Sequence, residues 1–180
     1  MEAGDQHPRV RRAGRTRLVA AALLALLGLG ATIQKDVLPV KGSSMAPLLR
    51  PGQLLVVNRA AYDTPDRAGP QRGDIVVFRR VPAADDDYIV KRVIGLPGDL
   101  VHIEAGRVFV NGTQLQEPYV AASDDYTYPL QGGPVRVPDG AYFVLGDNRP
   151  ESADSHLGWF VPAGDVVGQA WPLPMFVPVR

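Results

Sequence analysis

From residue 36 onward the chain alternates apolar and polar positions in short runs, and Gly, Pro, Asn or Asp closes nearly every run. Alternation with period two puts every second side chain on one face, which marks half-buried strands rather than helices. The pattern predicts strands over Val37–Val40, Gln53–Asn58, Asp74–Arg79, Tyr88–Ile94, Leu100–Glu104, Arg107–Val110, Gly133–Val137, Ala141–Leu145 and Asp165–Trp171. Arg107-Val108-Phe109-Val110 runs directly into Asn111-Gly112, and Asn-Gly suits the tight primed turn of a hairpin. Asn111-Gly112-Thr113 also matches a glycosylation acceptor, but the turn accounts for it. Ala60–Arg72 and Glu117–Gln131 read as loops. The beginning of the chain is different. Residues 1–17 are polar and without period, and Leu18–Ile33 is an uncharged apolar run of 16 residues. As a helix it would span about 24 Å, slightly less than a bilayer crossing prefers.

Composition agrees with a β-dominated domain. The 180 residues are 46% hydrophobic and 21% charged, with 19 Gly and 17 Pro spread between the strand-like runs. One domain with a sizeable core fits this length, and two hardly do. The absence of cysteine excludes disulfides, zinc–thiolate sites and thiol nucleophiles. The net charge is zero but uneven: Arg9, Arg11, Arg12, Arg15 and Arg17 stand against Glu2 and Asp5, which leaves the rest of the chain mildly acidic. An acidic body argues against nucleic acid as a partner. Arginines before an apolar run admit a cleaved secretory signal, with Gly28 and Gly30 near its end, or an uncleaved anchor with the arginines held in the cytoplasm. A buried soluble helix fits less well, because the uninterrupted apolar surface carries an arginine cluster at one end. Asp85-Asp86-Asp87 lacks the spaced ligands of a calcium loop and reads as solvated. The proline-rich end from Trp171 to Pro178 reads as packing on the domain.

Three segments stand out for their chemistry: Gly42-Ser43-Ser44-Met45-Ala46-Pro47, Asp87 to Asp99, and Gly146 to Ser155. Singly each has a plain structural explanation, as a turn, a strand with a snorkelling lysine, and a polar loop. Together they resemble the boxes of bacterial type I signal peptidases. Ser44-Met45-Ala46-Pro47-Leu48 is similar to the serine box, and Arg72-Gly73-Asp74 with its apolar strand to the next. Lys91 to Asp99 matches the lysine box in full, and Gly146, Asp147, Asn148, Ser152, Asp154 and Ser155 match the last. The four occur in order over roughly Val37 to Val161.

The resemblance implies a mainly β fold, an antiparallel sheet in partial-barrel form with one N-terminal transmembrane helix. It divides the chain into a cytoplasmic tail (1–17), a signal anchor (18–35) and an extracytoplasmic catalytic domain (36–180). It implies an endopeptidase that removes signal peptides from exported preproteins after small residues, with Ser44 as nucleophile and Lys91 as general base. Such a base must be neutral. At an ordinary pKa only about 0.04% of a lysine is neutral at pH 7, and a depression of about two units raises this to about 4%. Apolar Ile89, Val90, Val93 and Ile94 can supply that desolvation, and strand alternation turns Lys91 and Arg92 to opposite faces. By the same resemblance Arg92 pairs with Asp147, Ser152 bonds the lysine amine, and Asp154 supports it with His156 where relatives carry arginine. Lys35, Lys41 and Lys91 are the chain's three lysines; Lys41 is the alternative base, and a His156–Asp154 triad the alternative mechanism. The Ser44 backbone N–H is the expected oxyanion donor. Gly42 stands where some relatives add a hydroxyl, and Leu48 and Pro150-Glu151 depart from the usual residues. Substrate would add as a strand between Leu38–Gly42 and Asp87–Val90, its small side chains entering shallow pockets formed by Val40, Gly42, Met45, Leu49 and Val90. Ser44 lies about ten residues beyond Ile33, so an uncleaved anchor places the site at the outer face of the cell membrane, with the bilayer as partner. No cofactor or metal is expected. The rivals are another Ser/Lys peptidase of this fold and a β-domain that binds exported chains without cutting them.

Overall fold

The computed structural model describes residues 35–79, 88–120 and 125–173. The basic tail, most of the expected anchor, the triple aspartate and the end beyond Leu173 lie outside them. Among the described residues no helix is long and apolar enough to cross a membrane. They form eleven strands and four short 3₁₀ turns: β1 (Lys35–Pro39), β2 (Leu54–Asn58), β3 (Ile75–Arg79), β4 (Tyr88–Gly95), β5 (Leu100–Glu104), β6 (Arg107–Val110), β7 (Thr113–Gln114), β8 (Val135–Arg136), β9 (Ala141–Leu145), β10 (Val161–Pro162) and β11 (Val166–Pro172). The protein is mainly β and every pairing is antiparallel. A seven-stranded sheet runs β1-β2-β11-β3-β4-β9-β10, and a smaller one runs β7-β6-β5-β8. The large sheet is open, with β1 and β10 at its ends.

Alternation explains how the large sheet is buried on both faces. Ile75 and Val77 of β3 join Leu55 and Val57 of β2 in one cluster with Val40, Met45 and Leu49. Val76 and Phe78, the intervening residues, join Val93, Tyr142 and Val144 in a second. On β9, Phe143 and Leu145 turn the other way and pack with Val101, Ile103, Val108 and Val110 of the small sheet. At about 25 cal/mol per Å² of apolar surface removed from water, these side chains are the principal stabilisation of the domain.

Strand ends match the expected runs where turn chemistry is local. β5, β6 and β9 begin and end at the predicted residues. Asn111 and Gly112 both take positive φ, 53° and 78°, as a primed turn requires, and β6 returns into β7 through them. Two expectations need correction. Gly133–Val137 narrows to Val135–Arg136, because its partner β5 offers only Leu100 and Val101. Ala60–Arg72 is not wholly irregular, since Arg59–Tyr62 forms a 3₁₀ turn capped by the Asn58 side chain.

Several polar residues of the boxes tie strands together. Asp74 accepts two bonds from Arg67, at 2.7 and 2.6 Å. Asp99 accepts from Leu96 N, Arg72 and Asn111. Arg92 donates to Gly73 O at 2.9 Å. These bonds hold β4 beside β3 and position the strand that carries Lys91.

Candidate active site

Ser44 sits in a turn between β1 and β2. The turn closes by Ala46 N to Ser43 O at 2.9 Å and Leu49 N to Met45 O at 2.9 Å, and Met45 and Leu49 are its buried anchors. From the other side, the stretch after β9 grips it: Asn148 N donates to Ser44 O at 3.0 Å, and Asn148 Nδ2 to Ser43 O at 3.2 Å. Gly146 makes this approach possible. A Cβ there would lie 2.4 Å from Ser44 O and 2.2 Å from Ser152 Oγ.

Lys91 comes from the middle of β4. Its amine lies 2.6 Å from Ser44 Oγ, and the residue is only 3% exposed. Desolvation by burial pushes its pKa down to about 8, against the opposing pull of Asp154 and Asp147. At that value about 9% of the amine is neutral at pH 7. Lys41 lines the same cleft but makes no bond to Ser44.

Arg92, the next residue, turns to the opposite face and meets Asp147 through two bonds, 2.8 and 2.6 Å, with both groups buried. Asp154 is 0% exposed and collects Gly146 N at 2.9 Å, Ser152 Oγ at 2.5 Å and His156 Nδ1 at 2.6 Å. This corrects one expectation. The Ser152 hydroxyl donates to Asp154, and among the described residues it makes no bond to the Lys91 amine. His156 is engaged by Asp154, and its other ring contact is with Tyr126, so Ser44 meets a lysine and no histidine.

A cavity of about 440 Å³ opens beside Ser44. Val40, Gly42, Met45, Leu49 and Val90 all line it, together with Leu38, Leu55, Tyr88 and Ile89. The edge of β4 over Tyr88–Lys91 carries no strand among the described residues on the side away from β3, since β9 pairs only from Arg92 onward. The Ser44 N–H makes no hydrogen bond among the described residues. A cleft with an open strand edge, a hydroxyl bonded to a partly neutral amine and a free backbone donor is equipped for acyl transfer from an extended peptide.

One layer escaped the sequence. Arg149 is buried and bonds Glu117 at 2.5 and 3.3 Å, while its Nε donates to Gly146 O at 2.9 Å. Tyr119 donates to Glu117 at 3.0 Å, and its ring lies under the Arg92 guanidinium, 3.8 Å from the centroid. Glu117 and Tyr119 open a stretch with the composition of an ordinary loop, and no local pattern announces a partner 32 residues away.

The family model described as signal peptidase, peptidase S26, matches residues 12–173. The signal peptidase I of Bacillus caldolyticus is 41% identical over 152 residues, which are 76% of this chain and 80% of the relative. That of Leptolyngbya laminosa is 38% identical over 144 residues, 74% and 68% of the two chains. A crystal structure of a signal peptidase I from Enterococcus faecalis V583, 37% identical, covers 56% of this chain and 95% of its own, with a TM-score of 0.47. With a family match running from the arginine-rich start through the last strand, and relatives aligned over most of their own length, the chain belongs to the signal peptidase family, peptidase S26.

Proposed function

We propose that the chain is a type I signal peptidase that cuts exported preproteins after small residues of the Ala-x-Ala kind, using Ser44 as nucleophile and Lys91 as general base. The observation that carries this reading is the 2.6 Å contact between Ser44 Oγ and a buried lysine amine. The neutral amine takes the Ser44 proton as Oγ attacks the scissile carbonyl carbon. The Ser44 N–H then stabilises the oxyanion. As the C–N bond breaks, the Lys91 ammonium returns its proton to the leaving amine. A water deprotonated by Lys91 next attacks the acyl ester, which releases the signal peptide and restores Ser44. Asp147 and Asp154, held by Arg92 and His156, support the lysine, and Ser152 acts through Asp154.

The substrate adds to the open edge of β4 as a strand, so alternate side chains enter the cleft lined by Val40, Met45, Leu49 and Val90. A cleft lined mostly by apolar side chains, buried Met45 and Leu49 among them, favours uncharged side chains over charged ones. Residues 18–35 form the membrane anchor, with 1–17 in the cytoplasm and 36–180 outside. The apolar run between an arginine cluster and the catalytic domain supports that topology.

The test is incubation of the detergent-solubilised chain with a preprotein, alongside Ser44→Ala and Lys91→Ala. Loss of cleavage in both, with a product amino terminus following a small residue, is the expected result. Cleavage surviving either substitution excludes the dyad, and no cleavage by the unsubstituted chain favours a binding module. Resistance of residues 36–180 to protease added outside intact cells would reverse the topology.

A further inference from the structure

We infer that Tyr119 and Glu117 are positioning residues for the dyad, a clamp that holds the Arg92–Asp147 pair and the Gly146–Asn148 turn in place. The inference rests on the Ser44–Lys91 reading and extends it to a segment outside the four boxes. The geometry is continuous. The Tyr119 ring covers the Arg92 guanidinium at 3.8 Å, and Arg92 spans both oxygens of buried Asp147. Tyr119 O–H donates to Glu117, whose other bonds go to Arg149, and Arg149 donates to Gly146 O. Asn148, one residue before Arg149, holds the Ser44 carbonyl. Both members of the dyad therefore depend on the clamp: Lys91 through its neighbour Arg92, Ser44 through Asn148.

Burial makes the clamp stiff. The Arg149 side chain is 1% exposed, and a guanidinium so removed from water tolerates few positions other than beside its carboxylate. Burial, reinforced by the neighbouring Glu117, holds the Tyr119 phenol protonated far above neutrality, so the bond to Glu117 persists at any working pH. Stacking of an arginine on a desolvated aromatic face adds to the restraint.

The functional consequence concerns charge. The acids facing Lys91 are Asp147 and Asp154, and each is answered by one base, Arg92 and His156 respectively. If the ring under Arg92 is lost, the guanidinium gains freedom and water, and Asp147 is less fully neutralised. An exposed Asp147 charge and a wetter site both favour the ammonium form of Lys91. A rise of one pH unit in the midpoint of its titration would cut the neutral amine at pH 7 about tenfold, from roughly 9% to roughly 1%.

The experiment compares Tyr119→Leu, Tyr119→Phe and Glu117→Gln with the unsubstituted full chain in detergent, measuring kcat/KM on a signal-peptide substrate from pH 6 to pH 10. For Tyr119→Leu the acidic limb should move upward by about half a unit to one unit. Activity at pH 7 falls about three- to tenfold, and much of it returns at pH 9 to 10. Tyr119→Phe, which keeps the ring over Arg92 but loses the bond to Glu117, should move the limb upward by less than half as much as Tyr119→Leu. A limb that stays in place for Tyr119→Leu while activity drops equally at every pH would overturn the inference, since that is the signature of a structural loss alone. If Tyr119→Leu does not fold, Glu117→Gln decides by the same limb: an upward move supports the clamp, and none overturns it. Failure of the dyad reading itself shows separately, as cleavage surviving Lys91→Ala.

Discussion

Gly146→Ala should disable catalysis far more than it disturbs folding. The added methyl carbon would stand 2.4 Å from the Ser44 carbonyl oxygen, 2.2 Å from Ser152 Oγ and 2.7 Å from Ser152 Cβ. Ordinary contact between heavy atoms needs about 3.5 Å, so the Ser44 backbone and the Ser152 side chain must each retreat by roughly 1 Å. Overpacking of this kind typically costs about 1–3 kcal/mol, a fall of a few degrees to roughly 10 °C in Tm for a domain of this size. The same displacement acts twice on the chemistry. It disturbs the 2.6 Å Ser44–Lys91 contact, and it moves the Ser44 N–H off the proposed oxyanion position. Misplacement by about 1 Å costs on the order of 10²-fold in rate. The assay is kcat/KM on a signal-peptide substrate, measured at least 15 °C below the melting temperature of each variant. Gly133→Ala serves as control, because a Cβ there meets nothing within 4 Å. A Gly146→Ala enzyme within about threefold of the parent would show instead that the turn absorbs the methyl without moving Ser44.

Three further outcomes are expected. With Lys91 as the proposed neutral base, its pKa lowered by burial to about 8, kcat/KM should fall as pH drops below 8, approaching tenfold per unit, and level off above; activity that rises on acidification contradicts the assignment. Arg92→Met leaves Asp147 buried and unpaired, a loss of about 3–5 kcal/mol in urea unfolding that Arg92→Met combined with Asp147→Leu should partly recover. Gly42→Ser meets open space, so stability should stay within about 0.5 kcal/mol while a second oxyanion donor raises kcat; a kcat below the parent's would show that the hydroxyl does not face the oxyanion.

What could be read from the chain alone follows from what is local. Side-chain alternation and turn chemistry act over two to four residues, and so β5, β6, β9 and the Asn111-Gly112 turn stand where the pattern puts them. β7 and β10, two residues each, are too short to show a period and exist only because a longer neighbour pairs with them. The candidate site was legible as four ordered boxes, which name the residues without saying what each one touches. Tertiary structure decided that. The turn between β1 and β2 and the middle of β4 bring together a serine and a lysine 47 residues apart. The Ser152 proton goes to Asp154, a buried carboxylate that also holds Gly146 N and His156. Glu117 reaches Arg149 across 32 residues through no local signal at all. Strand periodicity is written in neighbouring residues, whereas the partner of a buried charge depends on which strands the fold places side by side and on the cost of leaving that charge alone.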